Sequence, residues 1–151
     1  MVTRTRFDDS ECPVARSVDA IGDWWSLLIV RDAFDGSRRF GEFQRGLGVA
    51  KNILTARLRT LVAGGILASV PASDGSAYRE YVLTPKGEAL FPVIVALRQW
   101  GEGNFFAPDE PRSRLVDRRQ GQGLRPLEVL AADGRPLAPG DTVVHKVDGD
   151  G

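Results

Sequence analysis

Cysteine, histidine and methionine each occur once in this 151-residue chain, and those scarcities exclude a good deal. With Cys12 alone, no disulfide can close within the chain and no multi-cysteine zinc site can form. His145, the single imidazole, stands near the C-terminal end and is expected on the surface. No nucleophile, base and orienting group can be assembled as a set. Neither a glycine-rich phosphate loop nor a carboxylate metal cluster is present, so the chain is read as a non-enzyme without cofactor or metal. No apolar run approaches the roughly 18 residues that a membrane span needs, and no apolar stretch follows a basic start. The expectation is a cytoplasmic protein with no membrane partner.

Net charge is missing too, since 20 Lys and Arg balance 20 Asp and Glu, with a pI of 6.6. Neutrality argues against indiscriminate nucleic-acid binding by the whole surface, but a charged partner is steered by the local field. Locally the balance fails: between Glu42 and Asp74 there is no acidic residue at all, while Arg45, Lys51, Arg57 and Arg59 fall there. From Arg38 to Arg59 six cations face Glu42 alone. The compensating acids lie at the ends, as Asp8, Asp9 and Glu11, then Asp148 and Asp150. Apolar and charged contents of 42% and 26% are ordinary, and a chain this long can bury one core with a small appendage.

Periodicity organises what remains. The first ten residues are polar. Pro13 suits a first helical turn, and Val14, Val18 and Ile21 recur at helical spacing until Gly22. Asp23 is a natural N-cap for WWSLLIVRDAF, which is apolar nearly all round and so expected in the middle of the core. Asp35-Gly36 marks a turn, and Phe40 to Leu47 a short third helix ended by Gly48. A fourth helix runs from about Ala50 to Ala63. Ile66 to Val70 and Arg79 to Leu83 then read as a hairpin with a polar tip. Thr84-Pro85 opens a fifth helix expected to continue to about Phe105, with Leu90, Ile94, Leu97 and Gly101 on one stripe, widened by Phe91, Val95 and Trp100. Residues 107–112 form a Pro-rich linker. From 113 to 151, short runs such as RPLEVL and TVVHKV between turn signals predict a β appendage of two or three strands. The fold class is thus mainly α (α+β), with a long C-terminal helix and a small β appendage.

The fourth helix carries the functional signal. Leu54, Leu58 and Leu61 share its inner face. At about 100° per residue, Asn52, Ala56 and Arg59 point the other way, with Thr55 on the flank. An ordinary amphipathic helix with a solvated cationic face is the plain alternative, but the adjoining hairpin and the lack of acid favour a helix that enters a DNA major groove. Lys51 suits phosphate, Asn52 an adenine edge, Arg59 a guanine edge, and Thr55 and Ala56 a thymine methyl. Arg38 and Arg39 are candidate phosphate anchors, with a local ion pair as the competing use. Arg79 is a candidate for phosphate or the minor groove. Arg57 lies nearer the buried face, where a salt bridge competes with DNA.

The run from Cys12-Pro13 through Gly22, Trp24, Leu28-Ile29, Arg39-Phe40, Leu54-Thr55, Arg57-Leu58 and Gly65 to Glu80-Tyr81, Leu83-Thr84 and Gly87 resembles the HxlR family of winged helix-turn-helix transcriptional regulators, relatives of the MarR group. The resemblance covers residues 12–106. It implies a homodimer joined through the first and last helices of the core, with two recognition helices in adjacent major grooves. Candidate dimer contacts are Val14, Val18, Ile21, Phe91, Ile94, Val95 and Trp100. Where relatives often carry a basic residue three before the wing tyrosine, this chain has Tyr78, with Arg79 next. Some relatives bear cysteines at zinc-ribbon spacing in a C-terminal module. The comparable places here hold Gln120, Leu130 and Asp133, which leaves residues 113–151 a degenerate appendage without zinc. Cys12 is either a small side chain at a helix start or, as in some relatives, a redox sensor. Trp24, Trp25 and Trp100 either pack in the core or edge a small-molecule pocket.

These readings converge on a dimeric repressor of a pseudo-palindromic operator in double-stranded DNA, released by a small molecule or an oxidant. Blocking polymerase requires no further surface. The alternative is a ligand- or protein-binding module on a winged-helix scaffold that does not grip DNA, suggested by the neutral chain and the appendage.

Overall fold

The structure is a computed structural model that describes residues 6–147. The first five of the ten polar N-terminal residues, and the acidic Asp148 and Asp150, lie outside the described residues. The elements are α1 (Pro13–Ile21), α2 (Trp24–Phe34), α3 (Phe40–Leu47), α4 (Lys51–Ala63), β1 (Leu67–Pro71), β2 (Arg79–Leu83), α5 (Pro85–Glu88) and α6 (Phe91–Asn104). They pack as two compact units, Met1–Ile94 and Val95–Gly151, with the divide inside α6.

Local chemistry sets each boundary. The Asp23 carboxylate caps α2 by accepting the Ser26 N–H at 2.8 Å and its hydroxyl at 2.6 Å. Glu42 accepts the Arg39 N–H at 3.0 Å, so the third residue of α3 reaches back over its own start. Gly48 then ends α3 in the left-handed region, at φ 63°, and buried Val49 plugs the tight turn into α4. At the far end of α4 the Ile66 N–H returns to the Leu61 carbonyl and the Gly65 N–H to that of Val62, with Gly65 at φ 74°. This Schellman closure buries Ile66 against the helix it terminates.

Ile21, Ile29, Val30, Phe43, Val49, Leu54, Leu58, Leu61, Ile66 and Leu67 form one buried cluster, with Tyr81, Leu83, Leu90 and Ile94 packed at its edge. β1 and β2 pair antiparallel from Leu67↔Leu83 to Pro71↔Arg79. A backbone hydrogen bond from the Tyr81 N–H to the Arg38 carbonyl, at 2.7 Å, ties the hairpin to the segment before α3. The result is a helix-turn-helix with a wing.

Two expectations are corrected. The single fifth helix is two: α5 stops at Glu88 and α6 starts at Phe91. Pro92 has no N–H to offer the Glu88 carbonyl, so the ladder breaks there. α2 is not buried by its apolar side chains all round as its sequence suggests, because Ser26 and Asp32 are buried while Trp24 is 73% exposed.

In the C-terminal unit the expected strands reduce to two isolated antiparallel bridges, Val116↔Gly123 and Leu130↔Pro136, and one 3-10 turn at Pro139–Asp141. The unit is held instead by side chains of α6 and of the segment that follows it. The Gln99 amide donates to the Arg125 carbonyl and accepts the Leu127 N–H, at 3.1 and 2.8 Å. Arg98 donates to Ser113. Arg112 donates to the carbonyls of Glu102 and Ala107 and stacks 4.6 Å from the Phe106 ring.

Candidate nucleic-acid interface

Burial of Leu54, Leu58 and Leu61 at 0–1% exposure fixes the rotation of α4. Lys51, Asn52, Thr55, Ala56 and Arg59 are left exposed, as the period required. Among the described residues, Lys51, Arg59 and Arg45 on α3 have no internal ion-pair or hydrogen-bond partner. The start of α4 is open as well: Ala50 at the N-cap supplies no side-chain acceptor, and the first turn contains no acid. Unmet N–H groups at a helix start favour a phosphate oxygen.

The other arginines are engaged. Arg57 faces Asp23, at 3.3 Å, in a salt bridge that joins α4 to the cap of α2. Arg38 donates to Glu80 at 2.6 Å. Glu80 is almost fully buried, and its other oxygen accepts the Ser73 N–H and hydroxyl at 2.7 and 2.8 Å. Arg39 donates to Asp74 at the wing tip at 2.5 Å and lies 5.6 Å from the Tyr78 ring. Arg79 reaches across the hairpin to the Ser69 hydroxyl and carbonyl. Local pairing is therefore the observed use of both Arg38 and Arg39. For Arg38 the reason is plain, since a buried carboxylate demands a counter-charge. Arg39, Arg45, Tyr78 and Arg79 line an open groove of about 570 Å³ between α3 and the wing.

Glu80 has a consequence for acid stability. The Ser73 N–H, then the Arg38 guanidinium and the Ser73 hydroxyl, hold its carboxyl down from the ordinary 4.5 to about 2. A depressed carboxyl contributes stability that is fully present above its unfolded value and is lost as pH falls through its folded value. The window is therefore about pH 4.5 down to 2. Glu80→Gln should flatten this limb: urea midpoints at neutral and acid pH should differ less in the variant than in the parent. Equal acid losses in the two proteins would contradict the assignment.

The candidate dimer residues divide by exposure. Val14 and Val18 on α1 are 70% and 51% exposed, and Phe91 and Trp100 on α6 are 41% and 61% exposed. Ile94 is half-buried. Ile21 and Val95 are already covered within the chain, at 8% and 3% exposure. Leu97 and Val93, exposed on α6, join the stripe that Trp100 continues. Trp24 and Trp100 are not core residues, whereas Trp25 packs at the core edge. Cys12 is exposed at the N-cap of α1.

Sequence reasoning overlooked Asp74 as a partner, because an Asp-Gly pair reads as a turn, and it left Arg45 out of the interface. The signal for Asp74 was its position as the first acid after the basic stretch.

The HxlR-like helix-turn-helix family matches residues 20–108. The chain is 41% identical over 124 residues to the uncharacterized HTH-type transcriptional regulator Rv3095 of Mycobacterium tuberculosis, covering 82% of this chain and 78% of that one. Its fold is similar to the crystal structure of PA1607, a proposed transcription factor, with a TM-score of 0.88 at 60% identity over 92% of this chain and 97% of the other. It is also similar to the redox regulator HypR in its oxidized form, with a TM-score of 0.57 at 34% identity, over 64% of this chain and all of HypR (100%). Among the described residues no helix is long and apolar enough to cross a membrane.

Proposed function

The chain belongs to the HxlR-like helix-turn-helix family of transcriptional regulators, and from that premise we propose that it is a sequence-specific DNA-binding repressor that works as a homodimer. The outer face of α4 carries this reading. Lys51, Asn52, Thr55 and Arg59 are exposed and face outward, and the two cations have no partner among the described residues. Asn52 and Arg59 have the donors and acceptors to read base edges, while Lys51 and the open start of α4 suit the backbone. Arg45 adds a backbone contact, and Arg79 serves the same role from the wing.

Exposed Val14 and Val18 on α1, and Phe91, Val93, Leu97 and Trp100 on α6, supply apolar surface for a second copy. Two recognition helices about 34–36 Å apart then meet successive major grooves of a pseudo-palindromic operator. A small molecule, or oxidation of exposed Cys12, releases the DNA by favouring a dimer geometry with the wrong spacing. The likeness to a redox regulator supports the oxidant route.

Phosphate contacts release counterions, so binding to a duplex from upstream of the protein's own gene should weaken steeply and linearly in log–log form between about 50 and 200 mM salt. The upstream duplex should bind more tightly than a scrambled one at every salt concentration. Equal affinity for both, or no binding at low salt, would point instead to a ligand- or protein-binding module on the same scaffold.

A further inference from the structure

The two arginines before α3 are held by wing acids in different ways. Arg38 meets Glu80, whose side chain is only 3% exposed and is anchored separately by Ser73. Withdrawing Arg38 would leave a buried charge short of its partner, a strongly disfavoured state. Arg39 meets Asp74 with both side chains open to solvent, at 34% and 56% exposure. Pairs of this kind contribute little and exchange readily.

Asp74 does not depend on Arg39 for its position. Its Oδ1 accepts the Ser76 N–H at 2.9 Å, an Asx turn at the hairpin tip, while Oδ2 receives the guanidinium. Oδ2 thus offers Arg39 the same charge-assisted hydrogen bond that a phosphate oxygen would. Arg39 stands on the wall of the groove that also carries Arg45 and Arg79, so a backbone phosphate in that groove meets three guanidinium side chains, of which Arg39 is held by Asp74 and Arg79 is hydrogen-bonded to Ser69.

We infer that Asp74 is a built-in competitor of the DNA backbone, holding Arg39 in the free protein and yielding it to a phosphate on binding. The inference rests on the DNA-binding reading above. Because phosphate contacts carry no sequence information, the exchange lowers affinity for every duplex and leaves the preference among sequences to α4. Asp74 acts through Arg39 and is a positioning residue.

Asp74→Asn isolates the effect. The amide oxygen still accepts the Ser76 N–H, so the turn is kept and only the charge is lost. Asp74→Ser, which also supports such a turn, is a second carrier of the change. Dissociation constants are measured for the upstream duplex and a scrambled duplex across salt. Both variants should bind both duplexes about three- to tenfold more tightly at low salt, by a common factor, with the salt slope steeper by about one. Adding Arg39→Ala should cancel the gain. Unchanged or weaker binding by the charge-removed variants overturns the exchange while leaving wild-type preference for the upstream duplex, and hence the functional reading, intact. A gain that survives Arg39→Ala overturns Arg39 as the group released. If neither parent nor variants bind any duplex, both the function and the exchange fail.

Discussion

Replacing Lys51 and Arg59 together by alanine should lower operator affinity by about 100-fold or more while leaving the fold and the oligomeric state unchanged. Among the described residues neither side chain has an internal partner, so truncation strands no buried group, and alanine is the best helix former at both places. If Arg59 reads a guanine edge as proposed, its loss should cost roughly 1–3 kcal/mol of discrimination. Loss of the phosphate contact proposed for Lys51 should reduce the salt slope by about one. The two effects separate in single variants: Arg59→Ala relaxes preference at one base position, whereas Lys51→Ala weakens all sequences alike. Fluorescence anisotropy with operator and scrambled duplexes reads the affinities, and circular dichroism with size-exclusion chromatography checks the fold. Undiminished binding by the double variant would remove α4 from the interface.

Gly87→Ala should destabilise the chain by about 3 kcal/mol, lowering the melting temperature by roughly 10 °C. The position needs space more than conformational freedom. A Cβ there would stand 2.2 Å from the Ile66 carbonyl oxygen and 3.0 Å from Leu83 Cδ2. The first obstacle is backbone, part of the turn that closes α4, and cannot swing aside. Thr84 makes the approach tight from the other direction: its hydroxyl donates to the Gly65 carbonyl at 2.5 Å and accepts the Gly87 N–H at 3.1 Å. The start of α5 is therefore clamped onto the α4–β1 junction, and forcing it away displaces the hairpin as well. Thermal unfolding measures the first effect. Weaker operator binding below the melting transition measures the second. A melting temperature within a degree or two of the parent would mean that the clamp gives way easily.

Local chemistry was legible along most of the helical body. The spacing of Leu54, Leu58 and Leu61 gave the rotation of α4 and with it the outward face, and Gly64-Gly65 gave its end. Pro92 was equally visible, but the apolar stripe running through it masked a break that a missing N–H enforces. The strands expected in the appendage shrink to two isolated bridges for a related reason. Alternating valines and leucines satisfy a strand pattern, but a strand also needs a ladder partner, and Gln99 takes the Arg125 and Leu127 backbone groups instead.

The pairings around the wing were hidden by distance along the chain. Arg38 and Glu80 are 42 residues apart, and Arg39 and Asp74 are 35 apart, so no local period relates them. Only the closing of the hairpin against α3 brings the acids to the arginines. Two of the candidate anchors were thus sound as positive charges but incomplete as free ones, and Arg45, with no partner among the described residues, is a better surface cation than either.

Selection of bound sites from a pool of random duplexes tests the combination of base reading and dimerisation most directly. The enriched sequences should contain an inverted repeat, with half-site centres about 10–10.5 base pairs apart or a multiple of that, set by two copies of α4 on one face of the duplex. Recovery of the pool without enrichment, or enrichment of a solitary half-site, would contradict a dimeric reader of sequence.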